Sequence, residues 1–412
     1  MFKEIKILKL TVFVALLVGI IYLSLQRLEN TVIYMDNISY HTEDTLRLYV
    51  TSNFSSEREE LLFVKSLDGD KVNMVRVSVT KRHSNESSML EGYQVNESFK
   101  LFVPLNTPSG LYTLSDTIPI IIRSQDSADI TIVYPYANNH LYAKSSGQSL
   151  FESKGTGVSL NRNSTLCNYS RSMVTLFDHL DTSYSTKCIS DLDLEDTSSF
   201  YNTRLLIFYG ISSFWTPKMK SNFLEYVNRG GNALVASDNF MANIFWWEKN
   251  TKRLTVKYKN DTGALISWHS HTGENVSDVV GFSYSNGGKA VDPFNTHYTI
   301  RDTTHPVFNG VESKYVPIES DIFSGTPITW NDELPFPSGE FPVEDINILA
   351  YNHCEYKTLT RNIGAMVLVK KDSLSGNILS MGCRDWFSSE NYRSSSVLQK
   401  ITHNSIDFLL EN

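Results

Sequence analysis

Basic residues are sparse in this sequence and nowhere clustered. Lys and Arg number 37 against 45 Asp and Glu, a formal net charge of −8. Nonspecific nucleic-acid binding needs grouped cations to displace phosphate counterions, so that class of function is excluded. The acidity most simply serves solubility. Cysteine is scarce as well, with only Cys167, Cys188, Cys354 and Cys383 in 412 residues. Their spacing does not resemble a zinc site. They either form two pairs, Cys167–Cys188 and Cys354–Cys383, or stay as four buried thiols. What is present is a globular composition, 41% hydrophobic, 20% charged and unusually aromatic at 12%. A chain of this length holds two or three domains.

The first segment stands apart. Lys3, Lys6 and Lys9 precede a run from Leu10 to Leu25 without a charged side chain. With Ile7 and Leu8 the run approaches the ~20 residues a helix needs to cross a bilayer. Lysines before it and only Arg27 just after it predict an inside N-terminus and an exported remainder. A cleaved signal peptide is the alternative, but Ile21 to Gln26 lacks the small-x-small pattern of a cleavage site. The expectation is a single-pass membrane protein with an extracytoplasmic ectodomain. Asn-x-Ser/Thr sequons at Asn37, Asn53, Asn85, Asn96, Asn163, Asn168, Asn260 and Asn275 are compatible with export.

From Thr31 to about Arg123 the pattern is strand-like. Thr45 to Val50 alternates with period two, and Leu61–Val64, Val75–Val79, Phe99–Val103 and Ile118–Ile122 are further strands. Turns are supplied by Asp68-Gly69-Asp70 and Ser109-Gly110. Short strands at regular spacing predict a β-sandwich over residues 29–125. After the polar linker Ser124–Ser127 the texture changes. Asp129–Tyr134 reads as a strand, Arg171–Leu180 as a helix, and Thr203–Tyr209 as a strand buried on both faces. Pro217 opens a helix carrying Met219, Phe223, Tyr226 and Val227, which ends at Gly230-Gly231 before the strand Ala233–Ala236. Strand–helix–strand units with short connections predict an α/β fold over residues 129–412, a mainly parallel sheet flanked by helices. The expected architecture is thus a transmembrane segment in residues 1–28, then the sandwich, then the α/β domain.

Within that third region, Leu205 to Gly210, Phe214-Trp215-Thr216-Pro217 and Phe223 to Asn232 resemble the large-subunit domain of N,N-dimethylformamidase. Other pieces match in the same order. Tyr134 to Phe151, with Tyr142, Gly147, Ser149 and Leu150, is similar to the family's first loop; Ser190 to Leu194 is similar to its Thr-Asp-Leu-Asp-Leu. Asn239 with Trp246-Trp247, and Ile378 to Gly382 with Trp386, follow. His305-Pro306-Val307-Phe308 is similar to a motif shared with trehalose-utilisation-type domains. The resemblance covers Asp129 to Asn412 and implies a class I glutamine-amidotransferase-like domain. It also implies amide hydrolysis with iron, or another divalent metal, held by tyrosine and glutamate oxygens. Hard oxygen ligands suit a Lewis-acid metal that activates water.

One departure bears directly on that chemistry. Where the family's turn reads close to His-Asp-Glu-Tyr before Trp, this sequence has Ile211-Ser212-Ser213-Phe214. Phe214 has no oxygen to offer a metal, so the family's ligand positions are lost and the cofactor is left unassigned. Ser212 and Ser213 are candidate nucleophiles if a general base lies beside them, and otherwise small turn residues capping the helix at Pro217. His269, His271 and Glu274 form the densest group of potential metal ligands, sharing a side if the segment is a strand; a solvated loop with incidental histidines is the simpler alternative. Arg384, a candidate binding residue, and Asp385, a candidate catalytic residue, lie where a pocket-lining pair belongs at the edge of an open sheet, although a salt bridge accounts for them equally. Trp215, Asn239, Trp246, Trp247 and Trp386 are the candidate binding residues, the tryptophans as a platform for sugar rings or as core.

Three functions fit these observations. One is an exported hydrolase of C–N bonds or glycan substituents. Another is a catalytically degenerate relative that binds polysaccharide or protein at the cell surface. The last is a membrane-anchored partner in an envelope assembly.

Overall fold

The computed structural model describes residues 31–411 apart from 53–57, 67–71, 82–91, 94, 144–149, 151–154, 164–165, 168, 180–183, 259–264, 292–295, 332–333, 338–344 and 357–358. The Asp68-Gly69-Asp70 turn, Gly147, Ser149 and the sequons at Asn53, Asn85, Asn168 and Asn260 lie outside the described residues.

The first strands are β1 (Thr31–Met35), β2 (Thr45–Ser52), β3 (Arg58–Ser66), β4 (Val72–Lys81), β5 (Phe99–Phe102), β6 (Gly110–Leu114) and β7 (Ile118–Ile122). They join in the order β1-β2-β4-β3-β6-β7, with β5 also paired to β2. As its alternation predicts, β2 buries Leu46, Leu48 and Val50 while exposing Thr45 and Arg47. Among the described residues the β2–β4 pairing joins Thr51 with Thr80 and Ser52 with Lys81. Side chains from both sides of that join, among them Leu48, Val50, Leu62, Val77 and Ile120, share one apolar cluster. Strand β4 thus links the group of β1, β2 and β5 to the group of β3, β6 and β7, and the strands share one core.

The remainder runs β8 (Ala128–Tyr134), α1 (Tyr136–Tyr142), β9 (Gly157–Ser159), α2 (Ser170–His179), β10 (Thr186–Ser190), β11 (Thr203–Tyr209), β12 (Phe214–Trp215), α3 (Pro217–Asn228) and β13 (Asn232–Ala236). It continues with β14 (Asn243–Ile244), β15 (Trp246–Glu248), β16 (Arg253–Thr255), α4 (Trp268–Thr272), α5 (Val276–Val280), β17 (Ser283–Ala290), β18 (His297–Ile300), β19 (Tyr315–Pro317) and β20 (Ile322–Gly325). Last come β21 (Ile328–Asn331), β22 (Leu334–Pro337), β23 (Asp345–Tyr356), β24 (Leu359–Lys370), β25 (Asn377–Ser380) and α6 (Ser396–Glu411).

Eleven of these strands form one sheet, β10-β8-β11-β13-β25-β24-β23-β17-β20, with β18 on β23 and β19 on β18. The strands β10, β8, β11, β13 and β25 are mutually parallel. Beyond β25 every pairing is antiparallel. This corrects the expected α/β class: the molecule is dominated by strands, and its large sheet is mixed rather than mainly parallel. The cause is the late segment, where the 12-residue strands β23 and β24 pair as a hairpin and extend the sheet away from the helix-covered half. The helix α3 begins where Pro217 predicts, because Thr216 accepts a hydrogen bond from the Met219 amide at 3.1 Å and caps it. Met219, Phe223, Tyr226 and Val227 are all buried.

Two further expectations are corrected. Among the described residues no helix is long and apolar enough to cross a membrane, and the Leu10–Leu25 run lies outside them. The anchor, the membrane as partner and the single-pass, extracytoplasmic localisation thereby lose their support. All four cysteines are buried and free, so neither Cys167–Cys188 nor Cys354–Cys383 is a disulfide. Burial raises the Cys167 thiol to about 11, which keeps it protonated and unreactive.

Candidate functional site

The five parallel strands end side by side at Ser190, Tyr134, Tyr209, Ala236 and Ser380. Ligands of open sheets with parallel strands bind beyond such ends, where neighbouring connections leave in opposite directions. Here β8 lies between β10 and β11, and the turns after β11, β13 and β25 bring polar residues together. The turn after β11 requires glycine: Gly210 has φ of +68°, and a Cβ there would lie 2.8 Å from the Tyr169 ring.

Ser212 and Ser213 follow and are both buried. The carbonyl of Ser212 accepts from the Trp215 indole at 2.8 Å, and Phe214 is clamped by Asn138, whose Oδ1 accepts from its amide at 2.8 Å. Asp191 in turn accepts the Ala137 and Asn138 amides at 2.9 and 3.2 Å, capping α1. The Ser213 hydroxyl lies 3.1 Å from the Tyr142 hydroxyl. Among the described residues no histidine or carboxylate hydrogen-bonds either serine hydroxyl.

Asp385 is held from two sides: the Tyr169 hydroxyl donates to Oδ1 at 2.8 Å and the Ser320 hydroxyl to Oδ2 at 2.6 Å. Next to it, the Arg384 guanidinium approaches Asp238 at 3.6 Å, Asp321 at 3.8 Å and Asp385 at 3.9 Å. Each of these separations exceeds direct hydrogen-bond length, so the arginine neutralises the cluster without being locked to one oxygen. Asp238 is almost wholly buried. Burial pushes its carboxyl up to about 6, against the opposing pull of Arg384 and of the amides of Asp238 and Asn239, with Asp385 adding to the rise. Tyr142 is raised mainly by burial, with its Ser213 hydrogen bond opposing.

The other candidates are placed elsewhere. Trp215 and Trp386 are core residues, 1% and 0% exposed, and the Trp386 indole donates to Thr402 at 2.9 Å. Trp246 and Trp247 lie half-buried on β15, under Lys257 at 4.5 Å and Lys249 at 4.9 Å from their ring centroids. Asn239 is half-buried beside Asp238. His269 and His271 stand on the helix α4, not on a strand, so residues two apart do not share a side. Glu274 pairs with Lys220, whose ammonium sits 4.4 Å from the Trp268 ring centroid. Among the described residues no group of three His, Cys, Asp or Glu side chains is arranged to hold a metal.

Of the residues named from sequence, the structure brings together Ser213, Arg384 and Asp385. It adds Tyr142, Tyr169, Asp238, Ser320 and Asp321, which sequence reasoning did not select. One signal was available: Asp238 follows directly on the buried strand Ala233–Ala236, at the end of a sheet that the hydrophobic run already marks.

Fold and site define a strand-rich protein with a mixed sheet and a charged cluster where its parallel strands end. The chain belongs to the family described as N,N-dimethylformamidase beta subunit-like, C-terminal, whose profile matches residues 71–393. No curated protein matches it. Among solved structures it is similar to a ThuA-like protein from Bacteroides uniformis, at 10% identity over 70% of this chain and 92% of that one, TM-score 0.37. A ThuA-like protein from Parabacteroides merdae matches at 15% identity over 69% and 90%, TM-score 0.33. A cytoplasmic protein from Salmonella typhimurium matches at 12% over 57% and 85%, TM-score 0.33.

The iron that the resemblance implies does not fit the residues present. Phe214, where the resemblance calls for a tyrosine, is 0% exposed and packs edge-on to Tyr142 at 6.0 Å between centroids. The nearby carboxylates already face the fixed positive charge of Arg384. A metal cation placed there would meet that charge at close range in a poorly solvated site.

Proposed function

We propose that this family member keeps the pocket at the sheet edge but has exchanged iron-dependent amide hydrolysis for binding of a small polar ligand. The observation that carries this reading is the substitution of metal chemistry by a fixed guanidinium: Phe214 supplies no oxygen, and Arg384 lies against Asp238 and Asp385. Its kinship with class I glutamine-amidotransferase-like domains is supported by the parallel half of the large sheet. Amidotransferase chemistry is no part of the proposal, since no cysteine occupies the turn after β11. We also propose a division of the chain into residues 29–125 and 129–412, each centred on its own sheet. The test is reconstitution of the purified chain with ferrous iron, followed by metal analysis and a dimethylamine-release assay on N,N-dimethylformamide. Trace iron and no turnover are expected; stoichiometric iron with turnover overturns the reading.

A second reading is favoured by Asp238. A buried carboxyl with its proton-loss midpoint near 6 is suited to general-base work, and the Tyr142–Ser213 pair would position a reacting group. This would be metal-free hydrolysis of a C–N bond. Turnover of simple amides by the metal-free chain, rising through pH 6 and abolished by Asp238→Asn, would favour it over ligand binding alone.

A further inference from the structure

A cleft distinct from the sheet-edge cluster lies where the first sheet meets the large one. It encloses about 260 Å³ and draws its walls from the end of β1, the turn at Asp191–Glu195 and the β15–β16 hairpin. Its formal charges balance: Arg123, Lys249 and Lys252 face Asp36, Asp193 and Asp196. What differs between the two signs is how they are used.

Asp193 meets donors of the protein itself through both oxygens, Asp36 and Asp196 each through Oδ1. Asp193 accepts from the Ser39 hydroxyl at 2.9 Å, Arg123 at 3.0 Å and the Ser190 amide at 2.8 Å. Asp36 accepts from the Tyr40 hydroxyl at 2.8 Å and the Arg47 amide at 3.0 Å. Asp196 accepts from the Ser198 amide and hydroxyl at 3.1 and 2.8 Å. The donors are not used up. Among the described residues, neither Lys249 nor Lys252 has a carboxylate within ion-pair distance, although Asp196 and Asp36 act on them from farther away. The Trp247 indole N–H and the Arg123 Nε are buried without an acceptor.

The hairpin fixes these groups in place. Lys252 adopts a left-handed conformation, φ +52°, unusual for a lysine. Its carbonyl accepts the Leu160 amide at 2.8 Å, which ties the hairpin to the segment after β9. Leu160, Leu192 and Tyr136 supply an apolar wall.

Unpaired donors beside an apolar wall call for a ligand rich in acceptors with an apolar body. We infer that the cleft binds a small organic anion, a carboxylate or phosphate monoester carried on a ring or short apolar group, between Lys249, Lys252, Trp247 and Arg123. This site is independent of the reading given to the sheet-edge pocket.

The test is calorimetric titration of the full chain with phenyl phosphate and phenylacetate, with benzylamine as the cationic control. At least one anion is expected to bind with a Kd of about 1 mM or tighter, benzylamine not at all. The tighter of the two anions identifies the head group. The double substitution Lys249→Met, Lys252→Met is expected to weaken binding about tenfold or more while moving Tm by less than about 2 °C. Lys249→Arg with Lys252→Arg should retain binding. The inference is overturned if neither anion binds at about 10 mM, if benzylamine binds equally well, or if the double methionine variant binds as the parent does. Loss of binding in Arg384→Met with retention in the methionine variant also overturns it, by placing the anion at the sheet edge.

Discussion

The sheet-edge cluster, with four charged side chains, and the cleft between the sheets, with six, use their charges differently. At the sheet edge, Arg384 gathers Asp238, Asp321 and Asp385, and the hydroxyls of Tyr169 and Ser320 occupy both oxygens of Asp385. In the cleft between the sheets, Arg123 is paired with Asp193, and among the described residues Lys249 and Lys252 have no carboxylate within ion-pair distance. The hydrogen bonds that close on Asp385 contribute to stability, while Arg384 beside it makes only longer ion pairs and leaves its buried Nε without an acceptor. A set of unmatched donors on a hairpin contributes little to the fold and is available to a ligand. Stability and binding should therefore separate between the two regions on mutation.

The largest expected effect is at Asp385. Replacing it with alanine leaves Tyr169 and Ser320 without their acceptor and removes one of the charges facing Arg384, at a cost of about 3 kcal/mol, read from urea unfolding. A loss under about 1 kcal/mol would erase the contrast between the regions.

Asp238 gives an effect of similar size with a defined pH window. Its folded-state value of about 6 lies above that of an ordinary aspartate. Between those two values the folded chain holds a proton that the unfolded chain has released, so stability falls as pH rises. The contribution is fully present below the ordinary carboxylate range and lost above about 6. It amounts to about 3 kcal/mol, and Asp238→Asn should flatten that slope in Tm measured from acid to neutral pH. His140 works in the opposite direction. Burial, reinforced by Arg162, lowers its imidazole to about 3, so protonation in the unfolded state costs stability as pH falls below the usual histidine value. The Asn variant should therefore show a cleaner acid destabilisation than the parent.

Phe214→Tyr probes a smaller term. A hydroxyl added to a fully buried ring should cost about 1–2 kcal/mol and bring no iron, because Arg384 remains. Iron uptake by this variant would show that one oxygen is all the site lacks. The smallest effect belongs to Lys249→Met, expected to change unfolding free energy by less than about 0.5 kcal/mol. A larger loss would mean that the lysine is held by the fold rather than open to a ligand.

The parts of the fold visible in the sequence were those with local causes. The helix α3 is marked by Pro217, its capping threonine and its buried spacing, and β11 by the apolar run Leu205–Tyr209, suited to burial on both faces. The alternation in β2 shows which of its faces is buried. The antiparallel half had no such signal. Its strands β23 and β24 mix residues such as Asn347, Asn352 and His353 among apolar ones, and β17 carries Gly287 and Gly288. Their pairing is set by partners far along the chain. The site followed the same division. Arg384 and Asp385 could be found because they flank a marked turn, whereas Asp238, Tyr169 and Ser320 become a cluster only once distant segments meet. Trp215 and Trp386 fell to the core alternative, since an aromatic side chain suits a core as readily as a binding surface.

The position of β25 has a kinetic consequence. This four-residue strand sits between β13 and β24 and, among the described residues, alone joins the parallel half of the large sheet to its antiparallel half. Among the described residues it also follows every other strand of that sheet along the chain. The two halves can collapse separately during synthesis, each with an open strand edge, and are closed only when residues 377–380 arrive. Completion of the sheet is thus a late, non-local event, slow by its topology and exposed to aggregation until that strand is seated.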